Sequence, residues 1–106
     1  MARLHLERQG FDFITANYQC KTGEIDLIMR DREVLVFVEV RYRKETHLGN
    51  PLETVTYSKQ RKLIRTAQFF LQQHFGNQWP PCRFDVIGIS GELDNSPLIE
   101  WIGNAF

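Results

Sequence analysis

The sequence predicts a single α/β domain, an α+β sandwich in which helices flank a mixed central β-sheet. Three observations predict it. One short helical segment, three strand-like segments, one long amphipathic helix and two more strand-like segments follow one another along the 106 residues. The segment 34–42 is apolar on both faces, as expected of a central strand that is covered on both sides. The long helix stands between strands, where a crossover connection belongs.

The first half of the chain indicates one helix and three strands. Residues 3–9 have a helical pattern closed by Gly10, and we expect this helix to be incomplete at its start. Residues 11–19 are rich in the aromatic and β-branched side chains that strands favour. Residues 24–30 alternate between two faces, and residues 34–42 give the clearest strand pattern of the chain.

The second half indicates the long helix and two further strands. Turn-forming residues 46–51 precede a helix that we expect to begin at Ser58, as its N-cap, and to end at Gly76. Strands are expected at 83–90 and 98–102. The apolar stripe of the helix is expected to consist of Leu63, Ile64, Ala67, Phe70, Leu71 and Phe75.

The charge of the chain is balanced, with 13 basic and 13 acidic residues. Net charge therefore gives no indication of nucleic-acid binding, whereas local basic patches still attract phosphate. The alternative for such charge runs is a solvated helix face and a charged loop. The two basic clusters are Arg41, Arg43 and Lys44, and Lys59, Arg61, Lys62 and Arg65.

The cysteines and the hydropathy pattern indicate a cytoplasmic protein. Cys20 and Cys82 lack the CxxC spacing of a zinc site, and free thiols in a reducing compartment are the simpler interpretation. No apolar run approaches the roughly 18 residues of a membrane span. The N-terminal segment has no signal-peptide core.

Two acidic residues, Asp26 and Glu39, interrupt strands that are otherwise apolar. Burying a carboxylate costs several kcal/mol unless a partner compensates for its charge. An even-length hairpin loop, such as Arg32-Glu33, places Asp26 opposite Glu39, whereas a three-residue loop sends them to opposite faces. We therefore predict the even-length loop.

Such a pair, together with a backbone carbonyl such as that of Val40, is a hard oxygen site that suits Mg²⁺ or Mn²⁺. An ion bound there polarises a phosphoryl oxygen and activates water for in-line attack. The alternative is an ordinary ion-pair network, in which Arg41, Arg43 or Arg83 neutralises the two carboxylates. Asp85, which interrupts another strand, is expected to be structural and to pair with a nearby arginine.

Several sequence strings resemble the YraN-like family of uncharacterised bacterial proteins. They are GEIDLI at 23–28, LVFVEVRYR at 35–43, SKQRKL at 58–63, RFDV at 83–86 and the ending WIGNAF. They occur in order over nearly the whole chain.

This resemblance implies a restriction-endonuclease-like fold, because those proteins look like members of the PD-(D/E)xK nuclease superfamily. The superfamily pattern is an acidic residue on one strand and an acidic-x-lysine triplet on the next. Asp26 matches the first acidic residue, and Glu39-Val40-Arg41 matches the triplet except that Arg41 replaces the lysine. An arginine stays protonated and does not act as a general base, although it can stabilise charge on a phosphate. Lys44 and Lys59 are candidate substitutes.

The remaining candidate residues are Gln60 and the basic side chains. Gln60 lies on the apolar stripe of the long helix, and it either points toward the carboxylates or bonds to backbone at the edge of the core. The resemblance implies a catalytic set of Asp26, Glu39, Arg41 and Gln60. The expected nucleic-acid contacts are Arg41, Arg43, Lys44, Lys59 and Lys62.

The sequence thus leaves three functions open. The first is a Mg²⁺-dependent nuclease or resolvase acting on DNA. The second is a nuclease-like module that binds nucleic acid without cutting it. The third is an interaction protein without nucleic-acid contacts. The oligomeric state is left open, a homodimer included, and no membrane partner is expected.

Overall fold

The computed structural model describes residues 1–42, 51–91 and 98–106. Its elements are helix α1 (Ala2–Arg8), strands β1 (Asp12–Cys20), β2 (Gly23–Asp31) and β3 (Val34–Tyr42), a 3-10 turn (Pro51–Thr54), helix α2 (Tyr57–Phe75), and strands β4 (Cys82–Ser90) and β5 (Leu98–Ile102). The strands form one sheet in the order β1-β2-β3-β4-β5. Among the strands of the described residues, β3 and β4 pair in parallel and the other neighbours are antiparallel. The predicted α+β class with a mixed sheet is confirmed.

The crossover helix α2 begins earlier than predicted. Its N-cap is Thr56, not Ser58, because the Thr56 hydroxyl accepts a hydrogen bond from the backbone N–H of Lys59 at 3.2 Å. Ser58 therefore lies inside the first turn. Gly76 closes the helix as predicted, with a φ of 59° that favours glycine.

Two apolar cores cover the two faces of the sheet. The core under α2 includes Phe37 and Phe70, and the core under α1 includes Val38 and Leu6. Alternate residues of β3 enter opposite cores, so that β3 is covered on both faces as its sequence predicted.

The buried stripe of α2 differs from the predicted one at three positions. Thr66 is fully buried, whereas Ile64 and Phe75 are each more than one third exposed. The Thr66 hydroxyl offsets the cost of its burial by donating to the carbonyl of Lys62 at 2.9 Å. The buried face of the helix thus contains a polar side chain, Thr66, that the predicted apolar stripe did not include.

The hairpin between β2 and β3 has the predicted even-length loop, Arg32-Glu33. The two strands pair from Asp31↔Val34 to Leu27↔Val38. Continued one step beyond the end of this ladder, the same register sets Asp26 against Glu39. The predicted even-length loop is therefore confirmed, and the Asp26 and Glu39 side chains lie close enough to interact.

Across the described ranges, no helix is long and apolar enough to cross a membrane.

Candidate functional site

Asp26 and Glu39 lie where the β2–β3 ladder ends. Beyond Leu27↔Val38, the N–H of Val40 donates to Oδ2 of Asp26 at 2.8 Å. A carboxylate oxygen thus accepts the hydrogen bond that a strand carbonyl would accept in a continuous ladder. Val40, which we expected to contribute its carbonyl, holds Asp26 in place through its N–H.

The backbone next to Asp26 is irregular. Ile25 and Ile28 both pack in the core under α2, although their spacing in an ideal strand puts them on opposite faces. Asn17, which lies opposite Asp26 in the β1–β2 register, has a φ of 54°. Asparagine tolerates this left-handed conformation better than most residues. The strand alternation is thus broken at the candidate site, a position where local strain is often found in functional proteins.

The Asp26 carboxyl holds its proton more tightly than an exposed aspartate does. Its pKa is raised from 3.8 to about 6, chiefly because partial burial disfavours the charged form. The hydrogen bond from Val40 opposes this rise, while the nearby carboxylates of Glu39 and Glu24 add to it. The raised pKa of Asp26 thus reflects its partial burial first and the neighbouring carboxylates second.

Glu39 is almost fully buried and forms ion pairs with two cationic side chains. Its Oε2 is 2.7 Å from Nζ of Lys59 and 3.3 Å from Nη1 of Arg41. The Arg41 Nε also donates to the hydroxyl of Thr54 at 3.0 Å. This part of the site matches the ion-pair alternative considered from the sequence, with Lys59 contributed by helix α2.

A cleft of about 270 Å³ opens beside these ion pairs, between the start of β2 and the first turns of α2. Two of the residues expected to contact nucleic acid, Lys59 and Lys62, line it. Ser58 and the N-terminal end of α2 lie at the same cleft, and helix N-termini favour anions. The other lining residues are Thr22, Gly23, Glu24, Thr56, Leu63 and Thr66.

Gln60 follows the second of the two interpretations offered by the sequence. Its side-chain amide donates to the backbone carbonyl of Val55 at 3.1 Å. This bond explains a polar residue at the edge of the core without a catalytic role. A catalytic role for Gln60 stays a prediction, and the other expected contacts Arg43 and Lys44 lie outside the described residues.

Asp85 has the structural role that the sequence predicted. Its buried carboxylate accepts two bonds from Arg83, at 3.0 and 3.2 Å, one from the indole of Trp101 at 2.8 Å, and one from the backbone N–H of Asn104 at 2.9 Å. Four donors satisfy the charge without a metal ion. The contacts from the C-terminal segment were not predicted, because nothing in the spacing of the chain places Trp101 or Asn104 beside β4.

A chain of hydroxyl and thiol groups near the cleft was also missed. The Thr22 hydroxyl lies 2.9 Å from that of Thr66 and 3.1 Å from the sulfur of Cys20. The polar Thr66 at helical spacing between Leu63 and Phe70 was the available signal. These contacts join the turn after β1 to α2 and so fix one wall of the cleft.

The donor set of the site fits a hard divalent ion. In the part of the chain that the structure describes, no three His, Cys, Asp or Glu side chains converge as a metal cage. Mg²⁺, however, usually takes one or two protein carboxylates and fills its other positions with water and substrate phosphate. The Asp26–Glu39 pair supplies two carboxylates, and Lys59 connects Glu39 to the neighbouring cleft.

Comparisons with known proteins identify related chains. The model of a family described as uncharacterised protein family UPF0102 matches residues 1–89. A UPF0102 protein of Pseudomonas syringae pv. syringae (strain B728a) is 48% identical over 101 residues, which are 95% of this chain and 82% of the relative. A UPF0102 protein of Nitrosococcus oceani is 48% identical over 104 residues, 96% of this chain and 82% of the relative. One from Coxiella burnetii (strain RSA 493) is 48% identical over 101 residues, 95% of this chain and 81% of the relative.

Proposed function

The chain belongs to the uncharacterised protein family UPF0102, the YraN-like family, and we propose that it is a cytoplasmic, metal-dependent nuclease or resolvase that acts on DNA phosphodiester bonds. The observation that supports this most is the meeting of Asp26 and Glu39 at the end of the β2–β3 ladder, beside a cleft lined by lysines. Carboxylates that can hold a divalent ion, next to lysines that can contact phosphate, suit the metal-assisted hydrolysis of a phosphodiester.

In this proposal Asp26 and Glu39 hold Mg²⁺ or Mn²⁺. The Val40 N–H fixes the orientation of Asp26, and the β3 backbone fixes that of Glu39. When bound, the ion supplies a Lewis acid for a phosphoryl oxygen and activates water for attack on phosphorus. A divalent ion also offsets the repulsion from neighbouring carboxylates, which adds to the effect of burial on the pKa of Asp26.

The cationic residues contact the substrate in this proposal. Lys59 and Lys62 line the cleft and neutralise phosphate charge, while Arg41 pairs with Glu39 beside Lys59. Arg41 stabilises charge that develops on the phosphoryl oxygens and does not accept a proton. The two cationic side chains on Glu39 are compatible with the superfamily resemblance in spite of the missing lysine at position 41.

A second function is favoured by the ion pairs of Glu39. Two cations already neutralise its Oε2, and an arginine replaces the lysine of the resembled motif. A nuclease-like module that binds nucleic acid without cutting it has both features. We keep this module as the alternative.

Cleavage of supercoiled and branched DNA with Mg²⁺ or Mn²⁺ tests the proposal. We expect metal-dependent cleavage by the unaltered protein and its loss in Asp26→Asn and Glu39→Gln. Asp12→Asn is the matched control, because Asp12 forms an exposed ion pair with Arg30 at the other end of β2. Salt-sensitive DNA binding without cleavage, unchanged in Asp26→Asn, would reject the nuclease and support the binding module.

A further inference from the structure

Lys59 takes part in both the ion pairs of Glu39 and the lining of the cleft. Its Nζ is 2.7 Å from Oε2 of Glu39, and the same side chain lines the cleft together with Ser58 and Lys62. Its backbone is fixed, because the N–H of Lys59 donates to the Thr56 cap. Its side chain is 42% exposed, whereas that of Glu39 is 6% exposed. Because the Lys59 backbone is held in place while its side chain is flexible and partly exposed, the ammonium group can move between Glu39 and the cleft.

We infer that Lys59 is a displaceable counter-ion, which neutralises Glu39 in the metal-free protein and moves to a substrate phosphate when a divalent ion binds. This inference rests on the proposed metal site. A carboxylate oxygen coordinates Mg²⁺ or Ca²⁺ at about 2.0–2.6 Å. Oε2 of Glu39 already has an ammonium group at 2.7 Å, so that an ion coordinated by this oxygen lies against the like charge of Lys59.

The contacts of the two cations indicate which of them leaves. Arg41 lies on the same strand as Glu39 and has a second bond, from Nε to the hydroxyl of Thr54 at 3.0 Å. Lys59 reaches Glu39 from another element, α2, through four methylene groups. Displacing Lys59 therefore disturbs no bond within β3 and leaves Arg41 in place.

The cleft offers the released ammonium group a new partner. Lys62 and Ser58 line the same cleft, and the N-terminal end of α2 adds its own attraction for anions. A phosphate there gains Lys59 only after metal binding has released that lysine from Glu39. Divalent ion and phosphate thus strengthen each other's binding through the position of one side chain.

The first test compares Mn²⁺ affinities by calorimetry in the unaltered protein and in Lys59→Met. Methionine keeps the aliphatic stem and removes the competing charge, and we expect about tenfold tighter Mn²⁺ binding. Arg61→Met is the control, because it removes an equal charge from the exposed side of α2, where Arg61 lies over the ring of Tyr57. Its Mn²⁺ affinity is expected to stay within about twofold of the unaltered protein.

The second test measures affinity for a fluorescein-labelled single-stranded oligodeoxynucleotide, with and without Ca²⁺. We expect Ca²⁺ to tighten binding by the unaltered protein about fivefold or more, and Lys59→Met to lose most of this effect. Equal or weaker Mn²⁺ binding by Lys59→Met, with the unaltered protein binding Mn²⁺, would overturn this inference alone. If neither protein binds Mn²⁺, the proposed metal site fails and the inference fails with it.

Discussion

Replacing Asp26 with asparagine is expected to stabilise the metal-free protein at neutral pH. Asparagine keeps an oxygen that accepts the Val40 N–H and is always uncharged, so it resembles the protonated aspartic acid. The pKa of Asp26 rises from 3.8 to about 6, first because of burial. A group whose pKa is raised by folding stabilises the protein at low pH. This contribution is lost as the pH rises through the pKa of the group in the folded protein.

The size of the effect follows from the two pKa values of Asp26. Their difference corresponds to about 3 kcal/mol at pH above 7. Because Asp26 is only partly buried, solvent screening reduces this to about 1–2 kcal/mol. The gain in free energy of unfolding of Asp26→Asn over the unaltered protein should therefore be near zero below pH 4, grow between pH 4 and 6, and remain constant above pH 7.

Urea unfolding in the presence of EDTA, at several pH values between 4 and 8, measures this difference. Asp12→Asn is the control, because the exposed pair of Asp12 with Arg30 should give a change below about 1 kcal/mol at any pH. An Asp26→Asn variant that is less stable than the unaltered protein at pH 7 would contradict a raised pKa of Asp26 in the folded protein. So would a difference that does not depend on pH.

Three further predictions concern other parts of the account. Replacing Asp85 with alanine should lower the free energy of unfolding by about 3–5 kcal/mol in urea titrations, because the Arg83 charge and the Trp101 N–H lose their buried acceptor. Replacing Thr56 with alanine should cost about 1 kcal/mol in the same assay, since the first turn of α2 loses its cap; no change would contradict the cap. Replacing Lys62 with methionine should weaken DNA binding and reduce the slope of log affinity against log salt by about 1, as measured by fluorescence anisotropy; an unchanged slope would place Lys62 outside the contact surface.

The parts of the fold that depend on local pattern were predictable from the sequence. The pattern of residues 24–30 and the apolar run of 34–42 predicted β2 and β3, although the alternation of β2 breaks between Ile25 and Leu27. Strand parity, together with a two-residue loop, predicted that Asp26 and Glu39 come together. These inferences need only the period of a strand and the length of a turn.

The parts that depend on contacts between distant elements were not predictable in the same way. The sequence offered Lys59 as a substitute for the missing lysine, but the 2.7 Å ion pair with Glu39 depends on how α2 packs on the sheet. Thr56 was overlooked as the N-cap because Ser58 is an equally good capping residue and lies two positions away. The inward position of Thr66 depends on its partners Thr22 and Lys62, which a helical stripe alone does not reveal.

Calorimetric titration of Mn²⁺ into the unaltered protein, Asp26→Ala and Glu39→Ala tests the proposed metal site directly. We expect one binding site in the unaltered protein and its loss in both variants, because the two carboxylates at the end of the β2–β3 ladder hold the ion together. Circular dichroism shows whether each variant remains folded. Mn²⁺ binding that persists in both folded variants, or no binding by the unaltered protein, would contradict the claim that Asp26 and Glu39 form a metal site.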